Sequence, residues 1–359
     1  MKIKRKKTRA IHIGDVTMGD GAPVRVQSMV KAPPHDAAAI LRQARALKRA
    51  GCEIVRLAVP DKKAADVFAQ VKQCARAPLV ADIHFNKQLA MAALDAGADG
   101  VRVNPGNLGG AAAFRDVLAA ARRAGACVRI GVNAGSLPPD ILKKYHGPTA
   151  QALVESALRF AEVAEKKHFR NIKISLKASD VTVCIDAYRL FARQSDVPLH
   201  IGITEAGGAF AGGIRSAVGL GVLLAEGIGD TLRVSLTAPA VREVQAAWHI
   251  LGALDLRRRG AAVVSCPTCG RTRGDVQAVA RRVENALAHI ELPIKIAVMG
   301  CPVNGPGEAR EADLGAALGT KTASIFMKGV VIKKVANENV LPELLRLVED
   351  FVKESKPHE

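Results

Sequence analysis

Short apolar runs alternate with longer amphipathic ones along most of the chain. VRVQSM, EIVRLAV, PLVADI, GVRVNP, VRIGVN, NIKISLK, PLHIGIT and DTLRVSL are compact and rich in β-branched residues. A stretch with apolar residues at helical spacing follows each of them. Buried parallel strands read as continuous apolar runs because both of their faces are covered. Eight β-then-α units between Val24 and about Arg258 therefore predict an α/β fold, a (β/α)8 TIM barrel. An open doubly wound sheet is the alternative. No Gly-x-Gly-x-x-Gly follows the first strand, which weakens a dinucleotide-binding version of that sheet. Asp36 is placed to cap the first helix, and further helices are expected from Asp61 to Cys74 and from Asp180 onward. Ahead of the first strand, IHIGDVTMGDGAP predicts a short hairpin. SLPPDILKKYHGPT is expected to be a loop with a helical turn, and the helix after DTLRVSL to run to about Arg259.

RRRG then breaks the alternation, and a different order begins. AAVVS and IKIAVM read as strands around a helix from Asp275 to His289. DLGAALG follows, then ASIFMKGVVIKKV as a hairpin turning at Lys328-Gly329, and a last helix from Asn339. The chain of 359 residues exceeds one ordinary core. The expected division is a barrel over residues 1–259 and a smaller α+β domain over 260–359.

Composition narrows the classes. Hydrophobic content of 49% and charged content of 24% fit a globular protein. No run of about eighteen apolar residues predicts a membrane span. The start, MKIKRKKTRAIHIG, is basic without an apolar core, so no secretory signal is expected. Seven cysteines without a regular framework point to a reducing, cytoplasmic setting. Cys52, Cys74, Cys127 and Cys184 lie in helix or strand patterns and are expected in the core. The net charge of +18 raises nucleic acid as a partner, but aromatics are only 3% and no nucleic-acid motif is present. Positive charge equally steers anionic small substrates and acidic protein partners.

In a barrel, chemistry gathers at the C-terminal ends of the strands. Those ends are unusually polar here: Arg56, Asp82 and His84, Arg102 and Asn104, Arg129 and Asn133, Lys177, Glu205, Arg233 and Ser235. Four arginines and a lysine on one rim with few acids would repel each other unless an anion filled the space. Guanidinium groups match phosphate oxygens in pairs. The pattern therefore predicts a phosphorylated, polyanionic ligand.

Three thiols set the second domain apart. Cys266 and Cys269 form a Cys-x-x-Cys pair in SCPTCGRTRG, and Cys301 lies in MGCPVNGPGE. A disulfide between the first two leaves Cys301 unexplained. Structural zinc usually takes a fourth Cys or His at compact spacing. Iron–sulfur clusters take four ligands, normally Cys. Glu308, in the same loop as Cys301, is the available oxygen donor, and a hard carboxylate on a soft cluster is a weak, displaceable ligand.

CPTCGRT followed by GCPVNGPGE resembles the cluster motif of the 4-hydroxy-3-methylbut-2-enyl diphosphate synthase family, iron–sulfur enzymes of the non-mevalonate isoprenoid pathway. DIHF, VRVNPGN, VNAGSL, LKASDV, GITEAGG and GIGDTLRVSL are similar to that family's barrel segments. The resemblance implies a [4Fe-4S] cluster on Cys266, Cys269, Cys301 and Glu308, in a sulfite-reductase-like domain. It implies substrate contacts from Arg56, His84, Arg102, Arg129, Asn133, Lys177, Arg233, Ser235 and Asn304. Glu205 and Glu308 would be the catalytic carboxylates, with Glu205 at the substrate hydroxyl. The implied reaction is reductive ring opening of 2-C-methyl-D-erythritol 2,4-cyclodiphosphate, with flavodoxin or ferredoxin as electron donor and a head-to-tail homodimer as the assembly. One departure stands out. VKAPPHD follows QSM where the resemblance calls for a Thr/Asn-rich turn.

Overall fold

The structure, a computed structural model, describes residues 3–301 and 310–354. The chain divides into two units, Met1–Arg257 and Arg258–Glu359. In the first, a hairpin of β1 (Ile11–Ile13) and β2 (Val16–Met18) precedes a β/α alternation. It runs β3 (Arg25–Met29), α1 (Ala37–Arg49), β4 (Ile54–Ala58), α2 (Lys62–Cys74), β5 (Leu79–Asp82), α3 (Lys87–Asp95), β6 (Gly100–Val103) and α4 (Gly110–Arg123). It continues with β7 (Cys127–Asn133), α5 (Pro139–Tyr145), α6 (Ala150–Lys166), β8 (Ile172–Lys177), α7 (Val181–Gln194), β9 (His200–Ile201), α8 (Ala209–Ala225), β10 (Thr231–Leu232) and α9 (Ala240–Ala253).

Local chemistry sets the helix starts. Asp36, Asp61 and Asp180 each accept a hydrogen bond from the N–H three residues on, satisfying a donor that the first turn leaves free. The apolar faces then point inward: Cys184, Ile185, Tyr188 and Phe191 of α7 are all buried at helical spacing.

The eight strands pair in parallel in the order β8-β7-β6-β5-β4-β3-β10-β9. A parallel bridge from Ile174 to Leu199 joins the two ends, so the sheet closes into the expected barrel. The hairpin closes its N-terminal end: Ile11, Ile13 and Met18 pack against Ile54, Val80 and Cys127.

Three details differ from the sequence reading. Strands β9 and β10 hold two residues each, shorter than PLHIGIT and DTLRVSL led one to expect. Beyond them Arg233 N–H donates to the Ile201 carbonyl and Thr237 N–H to the Gly207 carbonyl, so the two chains stay joined without a continuous ladder. Helix α9 ends at Ala253, not near Arg259. Asp255 takes φ +52 there, the chain reverses, and Arg257 is pinned to the Val24 carbonyl and Glu53 with its guanidinium over Trp248. Cys74 is exposed rather than in the core, because it is the last residue of α2.

The second unit contains β11 (Ala261–Ser265), α10 (Val276–Leu287), β12 (Ile294–Met299), β13 (Leu314–Leu318), β14 (Thr322–Met327), β15 (Val330–Ala336) and α11 (Val340–Glu354). Its sheet is parallel from β11 to β13 and antiparallel from there to β15. Asp275 caps α10. Lys328 and Gly329 both have positive φ, +47 and +79, as a tight hairpin turn requires. Among the described residues, no helix is long and apolar enough to cross a membrane.

Candidate active site

Parallel pairing places residues at one level on the same face of neighbouring strands. Asp82 pairs with Arg102, Arg102 with Arg129, and Arg129 with Lys173. This row points into the barrel. Arg56, Asp82, Arg102, Arg129 and Lys173 are all at most 4% exposed. The cations therefore reach well below the rim on which they were expected.

Asp82, at one end of this row, is its acid. Its Oδ2 lies 3.9 Å from Arg56 and 3.2 Å from His84 Nε2, and its Oδ1 is 3.6 Å from Arg102. Burial would push its carboxyl up. Arg56, the His84 contact, Arg102 and Arg129 outweigh that and hold it well below the usual carboxylate range. A second buried acid, Glu243 of α9, receives hydrogen bonds from Ser28 Oγ and Leu236 N–H and ion-pairs with Arg233 at 3.4 Å and Lys31 at 2.8 Å. Lys31 also donates to the carbonyls of Leu236 and Ala238, so the divergent VKAPPHD loop is tied across to the loop after β10.

These two acids leave most of the positive charge unanswered. Among the described residues, none of the three guanidinium nitrogens of Arg129 has a hydrogen-bond partner, and Arg129 is only 1% exposed. Burial, then Arg56 and Arg102, drive its pKa well below the ordinary arginine value. Arg102 is lowered chiefly by burial, and burial brings Arg233 down to about 10. Lys177 is pushed well down by burial and then by Arg56, Arg129 and Arg102. Arg56 aims Nε and Nη2 at the Met29 thioether, 3.2 and 3.0 Å away, a weak acceptor for so strong a donor. A buried charge without a partner costs several kcal/mol. An anion placed among these groups would supply the missing acceptors and charge.

Beside these cations is a cavity of about 160 Å³ lined by Arg56, Ser175, Lys177, His200, Arg233 and Ser235 among others. Arg102, Arg129 and Asn133 are not among its lining residues; Arg102 Nη2 donates to Asn133 Oδ1 at 3.2 Å. The buried Asn104 instead donates to Ser136 and braces the loop after β7. His84 is largely exposed at the mouth, held by Asp82. Glu205 is exposed, accepts from Ser179 Oγ at 2.6 Å and has φ +53, a left-handed conformation. Asn304 and Glu308 lie outside the described residues.

Sequence reasoning passed over Lys173, Ser175, His200 and Glu243. The first two were signalled by the alternation Lys-x-Ser-x-Lys in NIKISLK, which puts Lys173, Ser175 and Lys177 on one face. Glu243 was signalled by its place among Ala240, Val244 and Ala247 on the buried side of α9.

In the second unit, Cys266 and Cys301 follow the parallel neighbours β11 and β12. Gly300 N–H donates to Cys266 Sγ at 3.1 Å, and Arg273 N–H donates to the Gly300 carbonyl. Cys269 is exposed, and the Arg271 N–H lowers its thiol pKa. Among the described residues, no three Cys, His, Asp or Glu side chains converge as a metal site. The donor set nevertheless fits a thiophilic group. Three free thiols stand on two adjacent loops, one already receiving an amide N–H at sulfur.

Fold and site together define a barrel with a buried cluster of cations, joined to a small unit that presents thiols. The chain belongs to the GcpE family: residues 8–248 match the GcpE TIM-barrel domain, and residues 262–350 match the GcpE protein C-terminal domain. A protein of Maridesulfovibrio salexigens named 4-hydroxy-3-methylbut-2-en-1-yl diphosphate synthase (flavodoxin) is 52% identical over 355 residues, covering 99% of each chain. One of the same name from Thermodesulfovibrio yellowstonii is 50% identical over 343 residues, covering 96% of this chain and 98% of its own. The type I 3-dehydroquinate dehydratase of Clostridium difficile shares the barrel fold alone, with a TM-score of 0.51, 16% identity, and coverage of 69% of this chain and 97% of that one.

Proposed function

We propose that this chain catalyses the two-electron reductive ring opening and dehydration of 2-C-methyl-D-erythritol 2,4-cyclodiphosphate to (E)-4-hydroxy-3-methylbut-2-enyl diphosphate. The observation that carries this reading is the buried guanidinium of Arg129, which among the described residues has no hydrogen-bond partner and stands among further cations. A diphosphate supplies the charge and the acceptors that this group lacks. Charge-assisted hydrogen bonds of this kind contribute about 1.5–3 kcal/mol each.

In this reading residues 1–259 bind substrate. Arg56, Arg102, Arg129, Lys177, Arg233 and Ser235 hold the diphosphate, with Asn133 and His84 at its edge. Their fixed positive field stabilises the phosphate oxygen released when the ring opens, and it costs no reorganisation at that moment. Asp82 and Glu243 orient the guanidinium groups without meeting the ligand. Glu205 stands at the mouth as the carboxylate that exchanges a proton at the substrate hydroxyl. Residues 260–359 would hold a [4Fe-4S] cluster through Cys266, Cys269, Cys301 and Glu308, with Asn304 toward the substrate. Such a cluster, when bound, supplies electrons and a Lewis-acidic iron. The reaction consumes two electrons and one proton and releases one water. Flavodoxin, which the relatives' names specify, or ferredoxin is the donor suited to a basic chain of net charge +18. The protein works in the cytoplasm as a head-to-tail homodimer.

Anaerobic turnover with reduced flavodoxin tests the reading. Reconstituted protein containing iron and acid-labile sulfide is expected to form the open diphosphate, and Cys301→Ser to form none. Intact cyclic diphosphate after incubation with fully loaded protein overturns it.

A further inference from the structure

Lys173, Thr231 and His200 lie outside the set of diphosphate contacts, yet they are 1%, 0% and 2% exposed in the middle of the barrel. Beneath them lies the plug that includes Met18, whose sulfur is 3.8 Å from Lys173 Nζ. Above them lies the cavity, and His200 is among its lining residues. One hydroxyl connects the two levels. Thr231 Oγ1 is 2.8 Å from His200 Nδ1 and 3.5 Å from Lys173 Nζ.

A lysine buried to this depth normally has a carboxylate against it. Lys173 has a thioether and a hydroxyl. The titratable and charged groups around it are Cys127 and Arg129 of β7, Arg56 of β4, His200 of β9 and Asp230 at the start of β10. Asp230 is already engaged by Thr8, Arg5 and the Leu199 N–H. Burial, reinforced by Arg129 and Arg56 against Cys127 and Asp230, brings the Lys173 pKa down to about 7. Burial and the same cations keep His200 neutral.

We infer that Lys173 is a proton acceptor connected to the anion site through Thr231 and His200, neutral in the empty barrel and an ammonium once a diphosphate is bound. The inference rests on the diphosphate reading and deepens it. Among the described residues, Arg56, Arg102, Arg129, Lys177 and Arg233 face Asp82 and Glu243, so the empty floor already carries excess positive charge. A bound dianion reverses that local balance and favours one more cation. The proton comes from solvent: His200 accepts it at Nε2 and passes the one on Nδ1 to Thr231 Oγ1, whose own hydrogen moves to Nζ. No electron is exchanged in this transfer. Ring opening makes the compensation more useful, because it turns a cyclic dianion into an open diphosphate with one more negative charge.

Calorimetric titration of the full chain with the cyclic diphosphate tests this, under anaerobic conditions without reductant so that no turnover occurs. Two buffers of different ionisation enthalpy at about pH 8.5 give the proton count, a pH between the value in the empty barrel and that of an ordinary lysine. The cyclic diphosphate has no proton to exchange there, so the count belongs to the protein. Wild type is expected to take up about one proton more than Lys173→Met, and its Kd to weaken by up to about tenfold more per pH unit over this range. Lys173→Gln gives the same reading if Lys173→Met does not fold. Thr231→Val is expected to keep the equilibrium count but to slow proton uptake followed with a pH indicator in stopped flow. Equal counts for wild type and the Lys173 variants, or wild-type binding without proton uptake between about pH 7 and 10, overturn the inference. An unchanged rate in Thr231→Val overturns the route. Absence of binding by wild type counts instead against the diphosphate reading.

Discussion

Arg102 occupies the space that a side chain at Gly131 would need. A Cβ on Gly131 would stand 2.5 Å from Arg102 Nε and 3.0 Å from its Nη2. The glycine lies in the middle of β7, where glycine weakens a strand. Its presence is explained by the guanidinium it admits. Gly131→Ala is expected to push Arg102 off Asp82 and Asn133 and to raise the KM for the cyclic diphosphate by about ten- to a hundredfold, the loss of one or two charge-assisted hydrogen bonds. Steady-state kinetics on folded variant checks this, and an unchanged KM contradicts it.

Arg129 is expected to oppose folding while serving binding. Arg129→Met removes a buried, unpartnered charge and keeps much of its volume. Replacing buried ionic groups by packed apolar ones typically gains about 1–4 kcal/mol. The barrel should therefore melt several degrees higher, at about 2–4 °C per kcal/mol for a unit of this size. Diphosphate binding should be lost. Calorimetric melting with and without inorganic pyrophosphate measures both effects, and a lower Tm in the free variant contradicts the assignment.

Asp82 ties stability to acid. Its folded pKa lies below the unfolded value of about 3.9, so it stabilises the fold above that pH. The contribution is lost as pH falls through the folded value. Asp82→Asn leaves Arg56 and Arg102 without their shared acid, and a loss of about 3–5 kcal/mol is expected at pH 7, of the size seen when one partner of a buried pair is removed. Urea midpoints taken from neutral to acid pH should converge for the two proteins at the acid end. Parallel curves would show that the carboxylate is not the titrating group.

The fold was largely legible because its signals are local. Asp36, Asp61, Asp180 and Asp275 cap helices through bonds spanning three residues, and Lys328-Gly329 turns by its own backbone preference. The end of α9 was not legible, because the reversal at Asp255 is fixed by Arg257 reaching Val24, Glu53 and Trp248. Arg56, Arg102, Arg129, Lys177 and Arg233 could be picked out as charges in apolar strands. Lys173, His200 and Glu243 could not be weighted in the same way, since their role depends on which face closes inward and on a carboxylate far along the chain.

The two units separate two losses. Cys266→Ser removes the sulfur that Gly300 N–H addresses. Reconstituted variant should lose bound iron and the visible absorbance of an iron–sulfur centre. Its barrel should still bind pyrophosphate like wild type, because the described residues that line the cationic cavity belong to the first unit. Full retention of iron and sulfide in Cys266→Ser and Cys301→Ser alike contradicts the assignment of these ligands.

In the proposed reaction the cationic floor of the barrel holds a cyclic diphosphate for reductive opening. Phosphorus magnetic resonance during anaerobic incubation with reduced flavodoxin follows that event at the phosphates themselves. The account predicts that reconstituted wild type replaces the two ring-phosphate signals with those of an open diphosphate, while Arg129→Met with the same iron and sulfide content leaves the ring signals unchanged. Persistence of the ring signals with wild type, or conversion by Arg129→Met at the wild-type rate, would contradict it.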